Sequence, residues 1–368
     1  MKDSGEIVGI GMMFAAGVAV GAVFAEYVKI IPLAIPCCLS MMIPTLSVAV
    51  FLKSDSKKAN RLSFLFIFFL TGLFCSINSK TGYGIPVPKG YPGRLAAIKG
   101  EQLKRLIDSI PYPSAGTGPL VKALLTGDRS GLDKTTVNIF RASGASHILA
   151  LSGLHLGILY LILSRLTVPL GNRPGARRTR FLLTFGTAGF YTLMTGASPS
   201  IVRAFLYITI GETARLLGRE RAPVNILLTA LTIQLALKPE VITSLGFQLS
   251  YLAMVGITIL YPRLEKMYPA GEGLAGRTDP MRKLWKGAVL SISCQVFTAP
   301  LVWYRFHTFP KYFLITNLTA LPLTSAVMVL SVTTIALSWA GICPDLLIYL
   351  DDKAVSLLVE CLGVISSL

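Results

Sequence analysis

His147 and His155, two of the chain's three histidines, stand eight residues apart in an apolar stretch that also holds Ser146, Ser152 and Gly153. On a helix that spacing turns one ring about 80° from the other over about two turns, so both can border one cavity. A metal does not fit them: there is no HExxH, and no Asp or Glu occurs between Asp133 and Glu212. No cofactor is expected either. Polar groups inside an apolar run are costly, and they are kept for bonding a neighbouring helix or for a conducting path. Ser152-Gly153 is the weak point of the run, because Gly lowers helix stability and the Ser hydroxyl can satisfy freed backbone groups. A break there would open polar backbone to a water-filled cavity.

Three further residues share this ambiguity. Arg203 follows Pro199 by four residues in a helix with no other charge until Glu212. It either snorkels to the outer surface or points into a polar interior, where a guanidinium suits passing phosphates. Gln248 lies in an uncharged run, where interhelical hydrogen bonding competes with a place on a path, and Asn317 lies in another, where a broken segment is expected. The intramembrane polar residues read as uncharged or cationic rather than acidic. That sign favours an anionic passenger over a proton or sodium ion.

No catalytic apparatus is visible. The chain has no GxxxxGK[ST] for a nucleotide-driven motor and no histidine and acid cluster for a hydrolytic metal site. Its six cysteines lie in or beside apolar runs without CxxC pairs, as packing residues do. The chain is therefore expected not to be an enzyme.

The elements that must position these residues are membrane helices. Hydrophobic residues make up 53% of the chain, charged residues only 14%, and the mean hydropathy is +0.64, which marks a polytopic membrane protein. The runs 7–25, 30–52 and 62–77 read as three spans, the first retained rather than cleaved, and the basic connector 53–61 puts the amino terminus in the cytoplasm. Residues 78–144 then form a long outer segment with short helices near 94–108 and 118–125. It carries ten Lys or Arg against four acids. Arg94, Lys104, Arg105, Lys122, Arg129 and Arg141 either gather phosphate at a pore mouth or line a solvated helix face. Beyond them the loops near Arg177, Arg219 and Arg282 are all basic and fit one cytoplasmic side. The uncharged run 312–344 is 33 residues long, too long for one untilted span, so a broken or re-entrant segment near Asn317 and Pro322 is expected. The expected fold is all-α and polytopic, with about ten or eleven spans and one long outer loop. It divides into a three-helix membrane segment (1–77), a basic extracytoplasmic segment (78–144) and a transmembrane core (145–368).

Several separated segments, in order, resemble the competence domain of the ComEC family. They are Leu125-Thr126-Gly127-Asp128-Arg129, the Ser152-Gly153-Leu154-His155 core, Gly196-Ala197-Ser198-Pro199-Ser200-Ile201-Val202-Arg203, Gly246-Phe247-Gln248-Leu249-Ser250-Tyr251, and Asn317-Leu318-Thr319-Ala320-Leu321-Pro322. The resemblance covers about residues 106–330. It implies a multi-pass channel of the bacterial cytoplasmic (inner) membrane that conducts single-stranded DNA during natural transformation. His147, Ser152, Gly153, His155, Arg203, Gln248 and Asn317 would line the path through the lipid. A separate nuclease, a DNA receptor and a cytoplasmic motor would be its partners, and a homo-oligomer is compatible with it. The chain departs from the fuller family pattern in lacking an evident OB-like domain and a metallo-β-lactamase-like domain, and it reads as a shortened form. A carrier or flippase for a smaller anion, and a non-transporting scaffold of a competence complex, remain the alternatives.

Overall fold

The computed structural model describes residues 2–27, 57–80, 90–171, 173–268, 279–307 and 310–368. Among these, all regular structure is helical. In chain order the helices are α1 (Lys2–Tyr27), α2 (Lys57–Lys80), α3 (Tyr91–Ser109), α4 (Thr117–Thr126), α5 (Lys134–Ala142), α6 (Ser146–Leu149), α7 (Gly153–Leu166) and α8 (Pro174–Met194). There follow α9 (Pro199–Leu216), α10 (Pro223–Leu237), α11 (Leu245–Ile259), α12 (Tyr261–Glu265), α13 (Pro280–Phe306), α14 (Phe313–Trp339) and α15 (Asp345–Ser366). Short 3-10 turns lie at Val168–Leu170 and Pro239–Thr243. Many starts are written locally: Pro174, Pro199, Pro223 and Pro280 each occupy a first position, where a missing N–H costs nothing. Asp133 and Asp279 add side-chain caps to Thr136 N and Met281 N.

The chain folds as two compact units, residues 1–88 with 206–250, and residues 89–205 with 251–368. In the first, α1 and α2 meet backbone to backbone. A Cβ on Gly17 would overlap the Phe69 carbonyl oxygen, and one on Gly72 would overlap that of Phe14. Small residues permit this approach, which replaces the hydrophobic drive that lipid cannot supply. Helix α10 joins them, with Leu228 Cβ 3.0 Å from where a Cβ of Gly11 would lie. Glu212 is buried and is paired with Arg215 and Arg221 at 3.2 and 3.1 Å.

The second unit has one continuous apolar core. Leu120, Val121 and Leu124 of α4 and Phe140 of α5 pack with Val327 of α14 and Leu358 of α15. The short helices of the basic segment are thus embedded in the unit rather than appended to it.

Three helical segments are long and apolar enough to cross a membrane among the described residues: Leu245–Glu265, Pro280–Phe306 and Phe313–Trp339. Four shorter apolar helices accompany them, within α1, α2, α7 and α10. The chain is an all-α membrane protein. The expected span over 30–52 lies outside the described residues, and so do the turn signals near 84–88. Helices α3 and α4 match the two short helices expected in the basic segment, whereas α5 was not foreseen. The break expected near Asn317 and Pro322 is absent, because Phe313–Trp339 is one helix of 27 residues with Pro322 inside it, about 40 Å at 1.5 Å per residue. The interruption falls in the histidine stretch.

Candidate functional site

The stretch around His147 and His155 is two helices, not one. Helix α6 has only four residues, Ala150 to Ser152 run extended or irregular, and α7 starts at Gly153. The sequence explains the restart. Ser152 is the N-cap, with φ −122° and ψ 169°, and its Oγ accepts from Leu154 N at 3.2 Å. His155, three residues on, reaches back so that its Nδ1 accepts from Ser152 N at 3.0 Å. The pair closes a capping box with His in the place usually held by Glu or Gln.

That bond fixes the ring chemistry. In neutral His155 an accepting Nδ1 leaves the proton on Nε2. The side chain is 0% exposed, and Nε2 has no hydrogen-bond partner among the described residues. A buried N–H donor therefore stands at the start of α7. His147 is exposed on α6, its Nδ1 3.2 Å from Gly144 O. The two histidines lie on different helices.

Arg203 of α9 is 8% exposed and faces the same restart. A Cβ on Gly153 would sit 2.9 Å from Arg203 Nη2 and 3.3 Å from Ala204 Cβ. Only a residue without a side chain leaves the guanidinium its place beside the first turn of α7. Its charge also reaches Tyr251 of α11 and Cys294 of α13. Cationic guanidinium, imidazole N–H and the positive end of α7 thus gather at one point, an arrangement that suits an anion or a partly negative oxygen.

The interruption is held from behind by the Thr126–Arg129 loop. Gly127 ends α4 at φ 79°, and a Cβ there would overlap the Leu151 side chain. Both the conformation and the contact call for glycine. Arg129 donates from Nε and Nη2 to Leu149 O at 3.1 and 2.8 Å, satisfying a carbonyl at the end of α6. Tyr191 of α8 donates its hydroxyl to Leu125 O at 2.9 Å, and Thr316 of α14 donates to Ser143 O at 2.7 Å. The Thr126-Gly127-Asp128-Arg129 motif thus meets Leu149 and Leu151, immediately before Ser152-Gly153-Leu154-His155.

The remaining sequence-derived residues divide. Gln248 donates from Nε2 to Ile242 O at 2.9 Å, tying α11 to the turn before it. Asn317 lies half-buried on α14, its Oδ1 without a hydrogen-bond partner among the described residues. Of the six basic residues, Lys104 pairs with Glu101 at 2.8 Å and Asp128 at 3.0 Å, Lys122 with Asp108 at 2.5 Å, and Arg129 is the clamp just described. Arg94, Arg105 and Arg141 are exposed. Bonds from the Ser130 hydroxyl and N–H, then from Lys104, hold the Asp128 carboxyl well below the usual carboxylate range. Glu101 first and Asp128 second raise Lys104.

Sequence reasoning missed the acids. Asp351 and Asp352 of α15 are 0% and 2% exposed. Asp351 accepts from Tyr112 and Ser331 hydroxyls, Asp352 from Ser114 N, Ser114 Oγ and Thr117 Oγ1. With Glu212 they add buried acids to the buried neutral and cationic groups of the fold. The available signal was two adjacent carboxylates in a helix otherwise apolar on that face.

A family model described as competence protein matches residues 124–368. The chain is 26% identical over 223 residues to ComE operon protein 3 of Bacillus subtilis, covering 60% of this chain and 26% of that protein. It is 28% identical over 220 residues to competence protein ComA of Neisseria gonorrhoeae, covering 58% and 30%. It is 28% identical over 179 residues to recombination protein 2 of Haemophilus influenzae, covering 46% and 21%. The chain thus spans a third or less of the length of the curated relatives it matches. No solved structure matches it.

Proposed function

The chain belongs to the competence protein family, whose model its residues 124–368 match, and on that premise we propose that it conducts single-stranded DNA across the bacterial cytoplasmic membrane. Its amino terminus lies in the cytoplasm. The protein supplies passage and cleaves no bond, so a separate nuclease, a DNA receptor and a cytoplasmic motor work with it.

One observation carries this reading: the interruption before α7, where Ser152 and His155 cap a helix beside the Arg203 guanidinium. A backbone that leaves its helix at membrane depth is tolerated where protein or a water-filled cavity satisfies it. Of the groups there, the His155 Nε2–H is a hydrogen-bond donor and the Arg203 guanidinium carries positive charge. They attract phosphate and repel cations, whatever base the phosphate carries, which is what passage of arbitrary sequence demands.

The test is entry of labelled single-stranded DNA into cells lacking their own uptake channel, with nuclease and motor present. The parent chain restores entry, and His155→Ala and Arg203→Ala at equal membrane abundance lose it. If the parent restores none, or both variants match it, the proposal fails. Competition by mononucleotides as strong as by long DNA would instead mark a carrier for a smaller anion.

A further inference from the structure

Asp351 and Asp352 sit far from the Ser152–His155 interruption in sequence, yet a continuous set of bonds connects them. Burying two carboxylates is costly, and among the described residues neither enters an ion pair. Neutral donors offset the cost: Tyr112 OH and Ser331 Oγ to Asp351 at 2.9 and 2.8 Å, and Ser114 N, Ser114 Oγ and Thr117 Oγ1 to Asp352 at 3.1, 2.9 and 2.5 Å. Ser331 belongs to α14; the other four belong to the link between α3 and α4 or to the first residue of α4. Apolar side chains would pack α15 against the core at lower cost, as buried ion groups often stabilise less than the hydrophobes that replace them. What a carboxylate adds is direction, since each bond fixes where its donor must lie.

The donors on the α3–α4 side sit at one end of a rod. The N-cap of α4, Gly116, has no side chain with which to cap, and the Asp352 carboxylate lies near that positive end, held by Ser114 and the Thr117 hydroxyl. Ten residues make α4 about 15 Å long, and its flank is buried at Leu120, Val121 and Leu124. At its far end Gly127 abuts Leu151 and Arg129 grips Leu149 O. A shift of the first turn of α4 is thereby delivered to residues 149–151, immediately before the cap of α7.

We propose that Asp351 and Asp352 are positioning residues that set the Ser152–His155 interruption through α4. The inference rests on the functional reading above for its effect on uptake, but not for its geometry.

The test uses full-length protein in detergent with the native cysteines replaced by serine and spin labels at Ser146→Cys on α6 and Glu360→Cys on α15, both exposed positions. Asp352→Ala displaces or broadens the label distance, Arg129→Ala does the same, and the double variant adds nothing further. Asp352→Asn, which keeps an acceptor, recovers much of the parent distribution, and Lys353→Ala, on an exposed neighbour, leaves it unchanged. An unchanged distance in Asp352→Ala, or additive changes in the double variant, overturns the relay. Thermal unfolding of each variant identifies any that fails to fold, and Asp352→Asn then decides. In cells, Asp352→Ala and Arg129→Ala each lower uptake about tenfold or more without adding when combined. If the parent takes up no DNA while the distances behave as stated, the functional reading fails and the relay stands.

Discussion

At the scale of single residues, the contact between Gly153 and Arg203 separates folding from function. The overlapping atom is the tip of a long side chain, so Gly153→Ala can be accommodated by moving the guanidinium. The melting temperature in detergent is expected to change by a few degrees at most, at about 1 kcal/mol, while DNA entry falls to the level of Arg203→Ala. Arg129 gives a second test of the same kind. If its charge gathers DNA, Arg129→Lys is harmless; the fork onto Leu149 O instead predicts that Arg129→Lys loses most of what Arg129→Ala loses, about 1–2 kcal/mol of stability. Asp128 predicts a pH effect. Its folded-state value is depressed, so its stabilisation is complete above the unfolded value of about 3.9 and is lost as pH falls below it. Because the Asp128–Lys104 pair is about a quarter exposed, the effect is about 1 kcal/mol or less. Thermal melts from pH 7 to pH 3 should fall less steeply for Asp128→Asn than for the parent.

At the scale of elements, much of the helical order was legible, because its signals are local. Prolines at first positions announce α8, α9, α10 and α13, and Ser152-Gly153 announces the restart at α7. The uncharged run 312–344 misled because length alone does not say where a helix bends. Pro322 was read as a break, yet its missing N–H and ring clash are absorbed within a packed helix. Helix α5 was hidden by its polar sequence, and its clearest mark is the Asp133 cap. At the site, the helix-end residues were legible, since Ser, Gly and His at that spacing have few other uses. The clamp by Arg129 and the acids of α15 were not, because their partners lie 20 and more than 230 residues away. The α1–α2 contact yields a prediction of its own. Gly72→Val forces apart two backbones that touch at Phe14 O, and the loss should reach about 3 kcal/mol, seen as a lower melting temperature or reduced membrane abundance.

At the scale of the molecule, the net charge of +17 divides into charges that hold the fold and charges that face outward. Lys104, Lys122 and Arg129 belong to the first group; Arg94, Arg105 and Arg141 are exposed. If these three meet phosphate, replacing all of them with alanine lowers the salt dependence of single-stranded DNA binding by about two in log–log slope, at about 0.7 per contact. Fluorescence anisotropy of a labelled oligonucleotide across a sodium chloride series measures it. An unchanged slope would assign these arginines to ordinary solvation.

The first compact unit joins residues 1–88 to residues 206–250, and this has a consequence for synthesis. Helices α1 and α2 leave the ribosome long before α10 exists, and at about 5–20 residues per second the 142 residues between α2 and α10 take about 7–28 s. Through that interval the face of α1 that will receive Leu228 is covered by lipid tails, which solvate an apolar helix as well as a partner would. A discontinuous unit that would risk aggregation in water can therefore be assembled in the bilayer at the pace of translation.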